Sequence, residues 1–558
     1  MIETLTDVRR KAKYTRRLGR LKLERESYVS HWKDLTDNIL PRSGRYFLED
    51  RNKGERRNLD IYDSTGTRAL GVLAAGMMAG MSSPARKWFT LALADREMMQ
   101  YQPVKVWLDD VVEIIREIFS RSNVYRVLHG LYEEMATFGT GCAMLFRDRE
   151  DLVRLYPQTV GEFYAAQDNR YKIDTIYREF QMQIGPMVQE FGRKNVSLTT
   201  QNLYDRGVLD EWVTIVHAIQ PRMERDVGKR DNINMPWESI FLERDADDEH
   251  FLRESGFNMF PALVPRWNVR GGDVYGSDCP GMTSLGDIKQ LQDNQKQKAK
   301  CIDYQTDPPL QVPTALRGSE DVLPGGISYY DPAAPTGGIR TAYEVQLNLQ
   351  HLLEDIMDVR ARINSSFHVD LFQMIALSDR RQITAREIEE RHEEKLLVLG
   401  PVLERNQNEL LDPLIDNTFQ MALEEGLLPT PPEELQGQEI NIEYVSMLAQ
   451  AQKAVGIGSL DRMVGTVGQI AAVKPEVLDK LDSDKMIDEY SNILGIRPDL
   501  IVANEQVALI RQDRAEQQAQ MQQMANIPEA AKTAKTLSET DVGEGNALEE
   551  VANQFTQL

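Results

Sequence analysis

Three cysteines in 558 residues, Cys142, Cys279 and Cys301, leave no disulfide framework, and no Cys-x-x-Cys pair is present to run redox exchange or hold a metal. There is no apolar leader either: the start, MIETLTDVRRKAKYTRRLGRLK, is basic without a hydrophobic run. The longest uncharged run, Ala69–Pro84, has 16 residues, several of them Gly or Ser, which is short for a bilayer span. These absences predict a soluble protein of a reducing, intracellular compartment with no membrane role. The usual catalytic spacings are missing too. There is no GxxxxGK[ST], HExxH or GxSxG, and Phe138–Met144 (FGTGCAM) has only the first two glycines of GxGxxG. The seven histidines are scattered, with none at ligand spacing from another His or Cys. The expectation is no catalytic residue, no metal and no cofactor, in a structural or assembly protein. Carboxylate-only sites leave no local spacing, so an enzyme stays open as a rival.

What is present is a large core and a strong acidic balance. Hydrophobic residues make up 41% and charged residues 27%, the values of a globular protein. The length predicts several domains or one interlocked body, without internal repeats. The net charge of −22 argues against general capture of nucleic acid, though it allows a channel through which DNA slides.

The most informative stretch predicts two long helices, Met282–Tyr304 and Tyr343–Phe367, around an insert, 305–342, whose six prolines exclude helix. Val345, Leu349, Leu352, Ile356, Val359 and Ile363 repeat at 4, 3, 4, 3, 4, a heptad seam. The first helix has a thinner stripe, Leu285, Ile288, Leu291 and Ile302, and is otherwise Gln, Asn, Asp and Lys. A helix polar on most sides suits a wall beside water, so the pair predicts a packed hairpin with one side on a channel or groove. An ordinary buried hairpin with a loop insertion is the plainer alternative.

Residues 1–40 predict a helix ended by Pro41, with Val8, Leu18, Leu21, Tyr28, Trp32, Leu35 and Ile39 inward. Its run Arg9, Arg10, Lys11, Lys13, Arg16, Arg17, Arg20 and Lys22 suits either contact with nucleic acid or acidic neighbours, or a solvated face. Ser64 or Thr65 would cap the next helix, where Gly76 and Gly80 allow close helix packing. Two amphipathic helices follow over 103–138, and 139–275 is β-rich. The acidic Glu243–Glu249 lacks EF-hand spacing and reads as a solvated turn. Residues 368–383 predict a linking loop with Arg380 and Arg381. Thr384 and Glu387 form a capping box for a helix to about Gly426, which Pro401 and Pro413 should kink or break. Short helices follow over 446–510, then a Gln-rich helix from Arg511 and an acidic tail.

The order of IYDSTGTRALGVLAAGMMAGMSSPARKWFTL (61–91), FGTGCAMLF (138–146), YKIDTIYREFQM (171–182), YGSDCPGMTSLGDIKQLQ (275–292), DPPLQVP (307–313) and ITAREIEERHEEKLLVLGPVLERNQNELLDPLIDNTF (383–419) resembles the head-to-tail connector, or portal, proteins of short-tailed, podovirus-type bacteriophages. The resemblance runs to about Gln523. It implies an α+β, mainly helical portal fold assembled as a ring, usually dodecameric, at one vertex of the capsid in the virion, built in the host cytoplasm. DNA would be packaged and ejected through its channel. Implied boundaries are a wing (1–276), a first stem segment (277–304), a clip (305–342), a second stem helix (343–367), a tunnel loop (368–383), wing helices (384–445), a crown (446–510) and a C-terminal helix, barrel or tail (511–558). Implied partners are further copies of the chain, the terminase large subunit, tail adaptor or tail tube proteins, capsid and scaffolding proteins, and double-stranded DNA. Lys296, Lys298, Lys300, Arg380 and Arg381 are the expected channel cations, with the three lysines unable to share one helix side. The rivals are a homo-oligomeric intracellular scaffold without a DNA channel, and an enzyme such as a nuclease or packaging ATPase.

Overall fold

A computed structural model describes residues 2–48, 54, 56–93, 101–229, 231–246, 251–306, 310–311, 340–341, 350–378, 399–435, 440–444, 463, 466–470, 485–486, 502 and 506–519. The chain divides into two units, residues 1–94 with 110–466, and residues 95–109 with 467–558. In the second unit the described residues are almost all helical, and those of 506–519 are nearly all exposed.

The first unit is mixed helix and sheet. It opens with α1 (Ile2–Asn38) and α2 (Thr65–Met81), then β1 (Phe89–Leu93). The helix α3 (Gln102–Arg121), of which residues from 110 on belong to this unit, leads to α4 (Val124–Phe138). The stretch expected to be β-rich supplies β2 (Cys142–Asp148), β3 (Leu152–Gln158), β4 (Phe163–Gln167) and β5 (Ile173–Gln183). After the short α5 (Ile184–Phe191) and α6 (Leu198–Asp205) come β6 (Trp212–Pro221), β7 (Trp237–Glu243), β8 (Arg253–Phe257) and β9 (Ala262–Leu263). β4 to β8 form a five-stranded antiparallel meander, and β3-β2-β9 a second small sheet.

Period-two alternation explains how the meander is covered. Val216, Ala218, Ile240 and Leu242 point to one face, where they pack with Tyr14, Leu18 and Leu21 of α1. Ile215 and Phe241 point the other way, onto Ile184, Met187 and Phe191 of α5. Burying each such α1 side chain contributes about 1.5–3 kcal/mol, far more than any surface ion pair along the helix. Tyr14 is buried and donates to Glu238 at 2.9 Å, an inward position that the expected list for α1 omits.

One expectation is corrected in this region. Glu243 is not in a solvated turn: it ends β7, is buried, and accepts hydrogen bonds from Ser197 N, Ser197 Oγ and Thr200 Oγ1, holding the start of α6. The Gly pair of FGTGCAM serves packing. Gly139 ends α4 in the left-handed region (φ 76°), and its backbone passes Gly276 so closely that a Cβ on Gly276 would collide with it.

The hairpin comprises α7 (Pro280–Thr306), the short paired β10 (Leu310–Gln311) and β11 (Arg340–Thr341), and α8 (Gln350–Ser366). The expected linking loop is corrected over its first part. His368 takes a positive φ of 53°, and Val369–Ser378 forms a helix, α9. The apolar run buries Leu371 and Phe372, and α9 packs on α2, so helix wins over loop there. The Thr384–Glu387 capping box, Arg380 and Arg381 lie outside the described residues.

Residues 399–406 form α10, followed by a π-turn (Gln407–Leu411), α11 (Asp412–Glu424) and β12 (Ile440–Tyr444), which pairs with β1. The π-turn interrupts the helical run just before Pro413, where the sequence predicts a kink or break. Pro413 sits in the first turn of α11 just after the π-turn, where a missing donor costs least. The π-turn presents Glu409 to Arg266, buried to 2% exposure, at 2.6 Å. The guanidinium also donates to the Tyr171 carbonyl at 2.9 Å and the Val274 carbonyl at 3.2 Å.

Candidate functional site

The hairpin is the feature the fold positions most specifically. Arg362 reaches Asp287 at 3.6 Å and Asn294 donates to Asp355 at 2.6 Å, so α7 and α8 run antiparallel. Ile356, Val359 and Ile363 of the expected seam are buried, as are Leu285, Ile288 and Leu291 of the facing stripe. Leu352 is half-buried, and Val345 and Leu349 lie outside the described residues. Ile302 departs from the expected stripe: it is 43% exposed, three turns beyond Leu291 and toward the far end of α7.

A carboxylate joins the root of the hairpin to the rest of the unit. Asp63, just before α2, accepts from Thr65 N and Thr65 Oγ1 through Oδ1, at 2.9 and 2.6 Å. It therefore caps α2 in place of the expected Ser64 or Thr65, and the Ser64 hydroxyl makes no capping bond. Asp63 Oδ2 accepts from Arg360 of α8 at 2.7 and 3.1 Å and from Gln295 of α7 at 2.9 Å. Gln292, almost fully buried, closes the ring. Its Oε1 accepts from the backbone N–H of Tyr62 and Asp63 at 2.7 and 2.8 Å, and its Nε2 donates to the Asp63 carbonyl at 3.0 Å. Burial by itself raises the Asp63 carboxyl, but the Thr65 hydrogen bonds and the Arg360 guanidinium outweigh it and hold the group below the usual carboxylate range. Lys289 adds an ion pair to Asp34 of α1 at 2.7 Å. One acidic residue thus ties α2, α7 and α8 together.

The expected channel lysines are not brought into one row. Lys296 is half-buried with its ammonium 4.9 Å from the centre of the Tyr62 ring, a cation–π contact at the clamp. Lys300 is one turn further on and exposed, while Lys298 is rotated away by about 200°. Asp63, Gln292 and Arg360 were not singled out by sequence reasoning. The available signals were an Asp two residues before a Thr at a helix start, and a Gln on the apolar stripe of a polar helix. Among the described residues no cluster of His, Cys, Asp or Glu could hold a metal, and no helix is long and apolar enough to cross a membrane.

Comparison with known proteins gives a consistent picture. A family model described as bacteriophage head to tail connecting protein matches residues 11–502. A "Probable portal protein" of Bordetella phage BPP-1 is 52% identical over 541 residues, 97% of this chain and 97% of its own. A "Portal protein" of Salmonella phage epsilon15 is 46% identical over 544 residues, 97% of this chain and 98% of its own. Among solved structures, a chain from the "Virion of native gene transfer agent (GTA) particle" aligns with 78% of this chain and 95% of its own at a TM-score of 0.36 and 11% identity, a likeness too distant to bear on function.

Proposed function

The chain belongs to the bacteriophage head to tail connecting protein family, and from that membership we propose that it is the portal protein of a phage particle, the homo-oligomeric ring at the unique capsid vertex through which DNA is packaged and ejected. The carrying observation is the match, over nearly the full length of both partners, to two portal proteins at 52% and 46% identity. The role is structural rather than enzymatic.

In the finer reading α7 and α8 are the stem, 305–342 is the clip that meets the terminase large subunit and then the tail adaptor or tail tube, and 384–445 completes a wing begun by 1–276. Residues 368–383 form the tunnel segment, its start helical rather than looped, and carry Arg380 and Arg381 toward the DNA. Residues 446–510 are the crown, extended by 511–558, and capsid and scaffolding proteins surround the ring as it assembles in the host cytoplasm. The polar, exposed far end of α7 supports the stem reading, because such a surface suits a wet channel wall. Lys300 is the better channel candidate, since it is exposed, Lys296 is engaged by Tyr62 and Lys298 lies on the other side of the helix. Lys300→Gln should reduce DNA retention or slow packaging in assembled particles; unchanged packaging, retention and ejection would remove it from the channel.

The ring is tested by native mass and electron microscopy of the purified chain. Twelve copies of a 63.7 kDa chain weigh roughly 760 kDa, and a closed ring with a central hole near that mass is the expected result. A compact dimer or tetramer without a hole would overturn the reading.

A further inference from the structure

Helix α1 sorts its basic residues by face. Arg10 pairs with Glu254 at 2.6 Å, Lys11 donates to the Ala246 carbonyl, Lys22 pairs with Glu179 at 2.7 Å, and the buried Arg25 donates to the Gly161 and Phe163 carbonyls. These four bind α1 to the five-stranded sheet and its connecting loops. Lys13, Arg16, Arg17 and Arg20 are exposed. At 100° per residue they fall within an arc of about 100° and rise about 10 Å, a single stripe. Lys13 lies 5.9 Å from the Tyr14 ring, and Arg17 acts electrostatically on Asp174; among the described residues none of the four is in an ion pair.

The spacing of the stripe is unfavourable for an isolated helix. Lys13–Arg16 and Arg17–Arg20 are like charges at i,i+3, and Lys13–Arg17 and Arg16–Arg20 at i,i+4, so each pair repels. A merely solvated face in a chain with 87 acidic residues has no need of four such pairs and would be steadied by mixing the signs. A row of external negative charge removes the repulsion. Three of the four cations are arginines, whose planar guanidinium forks fit phosphate oxygens in pairs.

We propose that Lys13, Arg16, Arg17 and Arg20 form a contact for duplex DNA on the outside of the protein, separate from the channel, which grips the phosphate backbone without reading sequence. This rests on the portal reading only in that it supplies a genome packed beside the protein.

The test uses the full-length chain, as purified, and a fluorescent, covalently closed duplex minicircle, which cannot thread a closed ring. Binding is followed by anisotropy across salt concentrations. The variant K13A/R16A/R17A/R20A should bind at least tenfold more weakly at low salt, and the slope of log affinity against log salt should flatten by about 3 to 4, near 0.9 per lost phosphate contact. The variant R16K/R17K/R20K should retain most of the slope. Unchanged minicircle binding by the alanine variant would overturn the proposal. So would loss of polyglutamate binding with DNA binding intact, which would make the partner an acidic protein surface. Native mass is measured on the same samples. A variant that keeps DNA binding but loses the ring overturns the proposal and assigns the stripe to a subunit contact. A wild-type chain that binds minicircle through the stripe yet never closes a ring supports it while the portal reading fails.

Discussion

The two ends of the hairpin follow opposite rules. At the root, Ile288, Leu291, Val359 and Ile363 are shut away from water, and Asp63, Gln292 and Arg360 satisfy one another around them. At the far end, Ile302 and Tyr304 of α7 are 43% and 51% exposed. The root is completed within one chain. The tip holds apolar side chains that a single chain leaves uncovered, which under the portal reading neighbouring copies cover. The comparison teaches how far one chain completes itself: Ile302 lies about two helical turns beyond Gln295 of the clamp.

The sharpest way to break this contrast is to hollow the root. Ile363→Ala should cost about 3 kcal/mol in urea unfolding of the unassembled chain, as expected for a fully buried isoleucine. Next comes Asp63→Ala, at about 2 kcal/mol, because it leaves Arg360 and Gln295 without their shared acceptor and removes the α2 cap. The figure is held down because Arg360 is itself 46% exposed and solvent screens the pair. The sign with pH follows from the depressed carboxyl: its stabilisation is present above the ordinary Asp range and fades as pH falls through the folded value. Asp63→Asn should therefore be less stable than wild type at neutral pH, with the gap closing in acid.

A carboxylate elsewhere in the body sharpens the point by doing the reverse. Burial pushes Glu134 up to about 7, against the pull of the Ser43 and Thr159 hydroxyls. The folded chain holds that proton after the unfolded chain has lost it, so stability falls as pH rises from about 4.5 to 7 and then levels. Glu134→Gln should raise the melting temperature above pH 7, by a stabilisation on the order of 1 kcal/mol, and should change little near pH 4. The smallest effect belongs to the outer side of α8, where Met357 is 68% exposed. Met357→Ala should alter unassembled-chain stability by less than about 0.5 kcal/mol, while ring yield in native mass spectra should fall if copies meet there.

How much of this was legible follows from where the signals lie. The two hairpin helices were readable because apolar spacing and proline content are local. The β-rich region was readable for the same reason. The clamp was not, since Asp63, Gln292 and Arg360 are brought together from three separated segments, and each alone looks like a cap, a polar helix residue or a surface cation. The helix at the start of the expected loop at 368–383 is hidden in the sequence because HVDLFQMIAL is too short to show helical periodicity; only its packing on α2 decides it. The acidic neighbours of Glu243 in sequence hide that its side chain turns inward to Ser197 and Thr200.

Gly76 carries a consequence that concerns descent rather than stability. A Cβ there would come within 2.2 Å of the Phe372 ring, so α2 and α9 touch where one has no side chain and the other has its bulkiest. In a diverging lineage the glycine cannot be replaced first. Phe372 must shrink before Gly76 can grow, and the opposite order passes through a chain whose helices no longer fit. The two positions, almost three hundred residues apart, should therefore change in a fixed sequence, with the small-small pair as the only passable intermediate.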